Sequence, residues 1–173
     1  DQNNPLLNIP VIESLNRLID AECDFKTFEE LVLSFKELLK KQVLSNIRDV
    51  SFDCSPLYSL FFDDCIEKRQ DFSEGGAKYA YHGVQIVSFP NLINALLNIK
   101  TYVFEQKIFN LTECKKALKS NFKGYEDMRK VLQSNSSKFG STNQTVVDLT
   151  NDLMQFISDV VATKTMNGMK TKV

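Results

Sequence analysis

Residues 71–89 read DFSEGGAKYAYHGVQIVSF, and this stretch decides the fold. It opens with the strongest turn signal in the chain, because the paired glycines Gly75 and Gly76 let the backbone reach positive φ and pass close to other atoms. Residues 78–89 then form the one convincing strand, since they are rich in aromatic and β-branched types. Both faces of this strand are mostly apolar, which is typical of a strand with a packed layer on each side.

Helical periodicity describes most of the remaining chain. The clearest start is at Thr27, which forms a capping box with Glu30 and predicts a helix to about Ile47. Further helices are predicted within 10–22, 55–70, 90–104, 112–118, 126–132 and 144–162. The sequence therefore predicts a mainly α chain with one or few β strands. Residues 1–23 are expected to form a helical lead and residues 163–173 a flexible tail.

A single strand does not make a sheet. A two-sided strand among six or seven helices is expected to find its partners elsewhere, in other parts of a larger protein or in a second copy. An unpaired apolar strand at 78–89 would also favour self-association.

The composition excludes several classes of protein. The 173 residues are 43% hydrophobic and 25% charged with a net charge of -1, and the basic residues are scattered, which argues against nucleic-acid binding. No apolar run is long enough for a membrane span, and no signal peptide is visible at the start. Four widely spaced cysteines and a single histidine, His82, do not make a zinc site. We expect a cytoplasmic chain with reduced cysteines and no metal.

Several short motifs, taken in order, resemble the late-middle region of pyruvate formate-lyase-like glycyl radical enzymes. The resemblance covers roughly residues 24–160. We place the corresponding partial barrel segment at residues 24–162. It is carried by Asp24–Leu31, Pro56–Leu60, Asp64–Lys68, Gly75–Tyr79, Gly83–Val87, Ala95–Lys100, Val103–Glu105, Ala117-Leu118, Asn121-Phe122, Gly124–Glu126 and Lys138–Gly140.

The resemblance implies that this chain is part of a helix-wrapped, ten-stranded α/β barrel, with 78–89 as one barrel strand. It implies a parent enzyme that is a radical lyase, dehydratase or decarboxylase, or is similar to formate acetyltransferase, a transferase of anaerobic metabolism. Such an enzyme needs a glycyl radical, installed by an S-adenosylmethionine-dependent activating enzyme. Neither the thiyl-cysteine loop nor the radical-glycine motif of the family is matched, so the resemblance assigns this chain no catalytic residue and no cofactor. Its expected partners are the remainder of the parent enzyme and, for that parent, the activating enzyme.

The candidate site residues lie in the strand and in the turn before it. Tyr79, Tyr81 and Gln85 share one strand face, which points either into the barrel towards substrate or beneath a packed helix. Gly75 and Gly76 are interpreted as a structural turn, because no Lys-Ser/Thr sequence follows them to make a phosphate cradle. His82 is interpreted as a structural histidine on the outward strand face.

Three positions depart from the family pattern. Ala80, Ser88 and Pro90 stand where the family usually has Asn, Gly and Ala, which leaves room for a divergent or degenerate member. The preferred function is the wall and scaffold of a glycyl radical enzyme. The alternative is a stand-alone, non-catalytic helical module that derives from this scaffold and serves interaction or assembly.

Overall fold

The computed structural model describes residues 2–21 and 24–173, with side chains from residue 7 onward in those ranges. Its regular elements, in chain order, are β1 (Gln2–Pro10), α1 (Ile12–Asp20), α2 (Phe28–Asn46), α3 (Pro56–Ser59), α4 (Cys65–Lys68), β2 (Ala80–Val87), α5 (Phe89–Asn98), α6 (Leu111–Lys119), α7 (Glu126–Ser134), α8 (Gln144–Ala162), β3 (Thr165–Met166) and β4 (Met169–Lys172). A 3₁₀ turn spans Phe72–Glu74, and a π-helix continues α5 over Ile99–Glu105. The expected mainly helical class is confirmed, and a four-stranded sheet accompanies the helices.

The chain divides into two compact units. The sheet unit comprises the residues up to Ile9 together with 40–87 and 155–173, and the helical unit comprises 10–39 and 88–154. None of the helices in the described ranges is long and apolar enough to cross a membrane.

The sheet has the strand order β1-β2-β4-β3. β2 pairs with β4 in parallel, with Tyr81 opposite Lys170 and Gly83 opposite Lys172. β3 and β4 pair in antiparallel fashion as a hairpin. The prediction that the partners of the 78–89 strand lie outside the chain is therefore wrong, since β2 has a neighbour on each edge. The expectation of self-association assumed an unpaired strand at 78–89, and β2 is paired on both edges.

The β3–β4 hairpin replaces the flexible tail expected at 163–173. Its turn is Asn167-Gly168, with φ of 50° and 75°, and positive φ at both positions is what a type I′ hairpin turn requires. The Asn167 side chain accepts a hydrogen bond from the Val50 amide at 3.0 Å and donates one to the Val50 carbonyl at 2.6 Å. The buried Thr171 hydroxyl lies 2.7 Å from the Val161 carbonyl oxygen, which ties β4 to the end of α8. These contacts order the segment that we expected to be a flexible tail.

The N-terminal lead also differs from the expectation. Residues 2–10 form strand β1 rather than helix, and only Ile12–Asp20 is helical. Strand β1 carries the fully buried Ile9 and lies next to β2 in the sheet. Residues 22 and 23, at the end of the predicted lead, lie outside the described residues.

The single helix predicted over 55–70 is broken into α3 and α4. The break falls where Asp64 takes a φ of 73°, and α4 ends at Arg69 with a φ of 52°. Between α3 and α4, the amides of Phe61 and Phe62 donate hydrogen bonds to carbonyls three residues back, which is a turn pattern rather than an α-helical one.

The helical unit is built as its periodicity predicts. On α2, Leu31, Phe35 and Leu39 are fully buried, each contributing about 1.5–3 kcal/mol from burial. The Thr27 hydroxyl caps α2 by accepting from the Glu30 amide at 3.1 Å, but the Glu30 carboxylate accepts from Lys26 rather than from Thr27. The helix predicted to Phe104 is α5 extended by the π-helix, in which the Gln106 amide bonds to the Thr101 carbonyl at 2.8 Å.

His82 is buried inside the sheet unit and not on an outward face. Its ring is 1% exposed, stacks on Phe52 with a centroid distance of 5.9 Å, and has no hydrogen-bond partner on either nitrogen among the described residues. Burial lowers the pKa of His82 below its usual value of 6.5. The histidine is therefore neutral in the folded chain and serves as a packing group.

Replacing His82 with Phe should remove the pH dependence of stability near neutrality. The unfolded state binds a proton near pH 6.5 that the folded state rejects, so stability is full above this pH and falls as the pH drops through it. Because His82 is the only histidine, urea unfolding between about pH 7 and about pH 5.5 isolates its contribution. We expect His82→Phe to flatten this profile and Phe52→Leu, which keeps the imidazole, to retain it. An unchanged slope in His82→Phe would contradict the assignment.

Candidate functional site

The loop between α3 and β2 is organised by one buried carboxylate, that of Asp71. One oxygen accepts from the Ser55 amide at 2.9 Å and from the Ser59 hydroxyl at 2.7 Å. The other accepts from the Ser73 amide at 3.0 Å and from its hydroxyl at 2.6 Å. The backbone carbonyl of Asp71 also accepts from the amide of Gly76 at 3.0 Å. One residue thus joins the start of α3 to the turn that leads into β2.

These hydrogen bonds stabilise the charged form of Asp71. Burial raises the pKa of this carboxyl, but the hydrogen bonds from Ser73, Ser59 and the two backbone amides outweigh burial and hold the pKa far below its usual range. Burial, helped by the charge of Asp71, raises the pKa of the Cys65 thiol, so Cys65 is protonated at neutral pH. Asp71 is consequently a structural anion and not a proton donor.

The glycine pair allows the chain to pass close to this loop. Gly75 has a φ of 90°, and a Cβ there would lie 3.2 Å from the side chain of Met169. A Cβ on Gly76 would collide with the backbone carbonyl of Gln70. The Lys78 amide then donates to the Asp63 carbonyl at 3.0 Å, and β2 begins two residues later. The turn therefore sets where β2 starts.

The sheet has one buried face and one open face. His82 and Val84 on β2 and Met169 and Thr171 on β4 are buried, as the two-residue alternation of a strand dictates. The opposite face carries Tyr79, which is 61% exposed, the half-buried Tyr81 and the exposed Gln85, together with Lys170 and Lys172 of β4. Within the sheet unit, the three predicted site residues share this open face.

A cavity of about 450 Å³ lies on the open face and is lined by Lys78, Tyr79, Ala80, Tyr81, Lys170 and Lys172. The Lys172 ammonium lies 4.6 Å from the centroid of the Tyr81 ring, and the Lys78 ammonium lies 5.7 Å from that of Tyr79. The cavity thus brings two of the predicted residues together, while Gln85 lies further along β2 and outside it.

Sequence reasoning missed the two β4 lysines because they fall in the segment read as a flexible tail. A usable signal was present: Asn167-Gly168 is a strong hairpin dipeptide, and Met169, Lys170, Thr171 and Lys172 alternate between apolar or neutral and charged. No group of three metal-ligating side chains occurs in the described part of the chain. The described cysteines, Cys54, Cys65 and Cys114, are free thiols and none lies on a strand.

Asp71→Asn should destabilise the chain by about 2–3 kcal/mol at neutral pH, because an amide nitrogen would face hydrogen-bond donors that need an acceptor. The pKa of Asp71 in the folded chain lies below its unfolded value of about 3.9, so the stabilisation by the charged carboxylate is lost as the pH falls below about 4. The difference in unfolding free energy between the wild type and the variant should therefore narrow at low pH. Urea unfolding at about pH 7 and about pH 3 measures both effects. Asp63→Asn, an exposed change in the same loop, is the control and should cost little. Equal effects at the two positions would refute the role of Asp71.

Gly76→Ala should cost about 2–3 kcal/mol, because the added methyl group meets the Gln70 backbone rather than a side chain that can move. Gly140→Ala provides the comparison. Gly140 has a φ of 86° but open space around it, so only the backbone penalty of about 1 kcal/mol applies. Thermal unfolding of both variants checks that Gly76→Ala loses more stability than Gly140→Ala. A Gly76 variant as stable as the Gly140 variant would be inconsistent with a close backbone passage.

The chain is similar to known enzymes over most of its length. The family described as "Pyruvate formate lyase-like" matches residues 15–173. Trans-4-hydroxy-L-proline dehydratase of Clostridioides difficile is 34% identical over 143 residues, which covers 78% of this chain and 18% of that protein. The 4-hydroxyphenylacetate decarboxylase glycyl radical subunit of the same species is 29% identical over 153 residues, covering 83% and 16%. The chain thus spans less than a fifth of the length of these relatives.

Solved structures show the same fold. The crystal structure of hydroxyproline dehydratase from Clostridioides difficile aligns with a TM-score of 0.77 at 22% identity, covering 95% of this chain and 24% of that one. The B12-independent glycerol dehydratase from Clostridium butyricum aligns with a TM-score of 0.76 at 23% identity and the same coverage. The sheet and its helices therefore correspond to part of the glycyl radical enzyme barrel, and the expected fold is confirmed. By its sequence match over residues 15–173 and by this fold, the chain belongs to the pyruvate formate lyase-like family.

Proposed function

We propose that this chain forms a section of the substrate-facing wall in a cytoplasmic glycyl radical enzyme of the dehydratase or decarboxylase type. The observation that carries the proposal is the open face of β2 and β4, where Tyr79, Tyr81 and three lysines line a cavity. The relatives named above are a dehydratase and a decarboxylase glycyl radical subunit, which supports this range of reactions.

The remainder of the enzyme is the proposed partner of this chain. Large apolar side chains stand exposed along α3, α4 and the connections that lead to β2: Leu57 is 79% exposed, Phe61 85%, Ile66 62% and Tyr79 61%. Such a cluster is costly to leave in water and marks an interaction surface. Strands β1 and β3 are the outer strands of the sheet, so further barrel strands can extend it on either side. The alternative, a stand-alone assembly module, is less favoured, because it gives no role to the open cavity lined with tyrosines and lysines.

The residues of this chain fit a supporting role in the radical chemistry. A glycyl radical, installed by an S-adenosylmethionine-dependent activating enzyme, supplies the hydrogen-atom abstraction that starts the reaction in this family. We place both the radical glycine and the thiyl cysteine on other segments of the enzyme, which is consistent with the positions of Cys54, Cys65 and Cys114 off the sheet. In this proposal the tyrosine hydroxyls of the open face bind and orient substrate, and Asp71 holds the loop that precedes them.

Activation of the full-length protein tests the proposal. Treatment with its activating enzyme should give a glycyl radical signal in electron paramagnetic resonance, whereas the 173-residue chain treated in the same way should give none. Activity should be measured with trans-4-hydroxy-L-proline, 4-hydroxyphenylacetate and glycerol. A radical signal localised to this chain, or a full-length protein that cannot be activated, would overturn the assignment.

Tyr81→Phe should lower kcat/KM of the activated full-length enzyme by about threefold to tenfold, since one hydrogen bond to substrate is lost. The yield of glycyl radical should not change, because the tyrosine acts on substrate and not on activation. Tyr125→Phe, in the helical unit, is the matched control and should leave both quantities unchanged. A Tyr81 variant with normal kcat/KM, or with a reduced radical yield, would remove Tyr81 from the substrate-facing wall.

A further inference from the structure

The open face of the sheet carries a concentration of positive charge, and no carboxylate pairs with it among the side chains that the structure describes. Of the six residues that line the cavity, three are lysines and none is acidic. Ion pairs in the described residues involve lysines at 36, 68, 100, 115, 119 and 130, and not Lys78, Lys170 or Lys172. In a chain with 22 acidic residues and a net charge of -1, this cluster is a local feature and not a reflection of composition.

The sheet register places two of the three lysines, Lys170 and Lys172, beside β2. Parallel pairing sets Lys170 beside Tyr81 and Lys172 beside Gly83. Because Gly83 has no side chain, nothing on β2 at that position stands in the way of Lys172, which lies over the Tyr81 ring at 4.6 Å. Lys78 reaches the same cavity from the residue before Tyr79. The aromatic faces hold two of the ammonium groups at the cavity walls through cation–π contacts.

We propose that this cavity, which we name the β2–β4 lysine site, binds the anionic group of a small organic acid. Three like charges lining one cavity repel each other, and an anion placed between them relieves that repulsion. Lysine ammonium groups bind carboxylate, sulfonate and phosphate oxygens through charge-assisted hydrogen bonds. The tyrosine hydroxyls add neutral donors for a second polar group on the ligand. A volume of about 450 Å³ admits a small metabolite.

The interpretation of this anion as the substrate rests on the proposed function, whereas the binding of an anion does not. If the open face is part of the enzyme's substrate-facing wall, the β2–β4 lysine site selects substrates that carry an acid group over neutral polyols. The same barrel wall would then distinguish acids from uncharged alcohols by electrostatics and not by shape.

Two probes of equal carbon skeleton separate charge from shape. Lactate and propane-1,2-diol share a CH3–CH(OH) unit and differ at the third carbon, which is a carboxylate in lactate and a hydroxymethyl group in the diol. Isothermal titration of the full-length protein, without activation, should show lactate binding that weakens as salt is raised and no comparable binding of the diol. Inorganic phosphate should compete with lactate, because the lysine ammonium groups recognise the anionic oxygens.

Charge-neutral variants locate the binding. The double variant K170Q/K172Q should raise the Kd for lactate by about fivefold to tenfold. The control K40Q/K41Q removes the same charge from two exposed lysines of α2, in the same unit but away from the cavity, and should leave the Kd unchanged. Both changes are on exposed side chains, and circular dichroism verifies that both variants fold.

Three results would overturn the lysine site: no lactate binding in the millimolar range, equal binding of the diol, or equal losses in the two double variants. None of these outcomes depends on radical formation, so the lysine site and the proposed function are tested independently of each other. A protein that binds lactate through Lys170 and Lys172 but cannot be activated keeps the site and loses the enzyme assignment. A protein that is activated but ignores lactate keeps the assignment and loses the site.

Discussion

The geometry of the sheet unit depends on a buried anion that is fully hydrogen-bonded. Asp71 receives two hydroxyl and two amide hydrogen bonds, and these fix Ser55, Ser59 and Ser73 around one point. Burying a carboxylate is costly unless such donors compensate it, so the loop can hold this charge only in one conformation. That conformation fixes the direction of the chain through Gly75 and Gly76, and this turn determines where β2 begins. The positions of Tyr79 and Tyr81 follow from it.

The second constraint comes from the end of the chain. The Asn167-Gly168 turn folds β4 back against β3, and the Asn167 side chain anchors this turn to Val50. With β4 in place, β2 is an inner strand with a packed face and an open face. The loop thus fixes where β2 begins, and the hairpin supplies the strand that pairs with it, so both position the residues on its open face.

Much of this arrangement could be predicted from local signals, and the failures have physical causes. The Thr27 cap, the apolar period of α2 and the glycine turn are encoded within a few residues, and each was found. The break at Asp64 was not, because it depends on an aromatic cluster of Tyr58, Phe62 and Phe72 and on hydrogen bonds to a residue further along. Strands β1, β3 and β4 were missed since short strands gain stability from neighbours distant in sequence. Two of the three cavity lysines, Lys170 and Lys172, were missed with β4.

The parallel pairing of β2 with β4 has a consequence for synthesis of the protein. Parallel strands require a long connection, and here it contains most of the helical unit. At about 5–20 residues per second, a ribosome completes β4 several seconds after β2 has left it. During that interval β2 has β1 on one side and a bare edge of amides and carbonyls on the other. Nascent chains of this protein should accordingly be clients of ribosome-associated chaperones until β4 emerges.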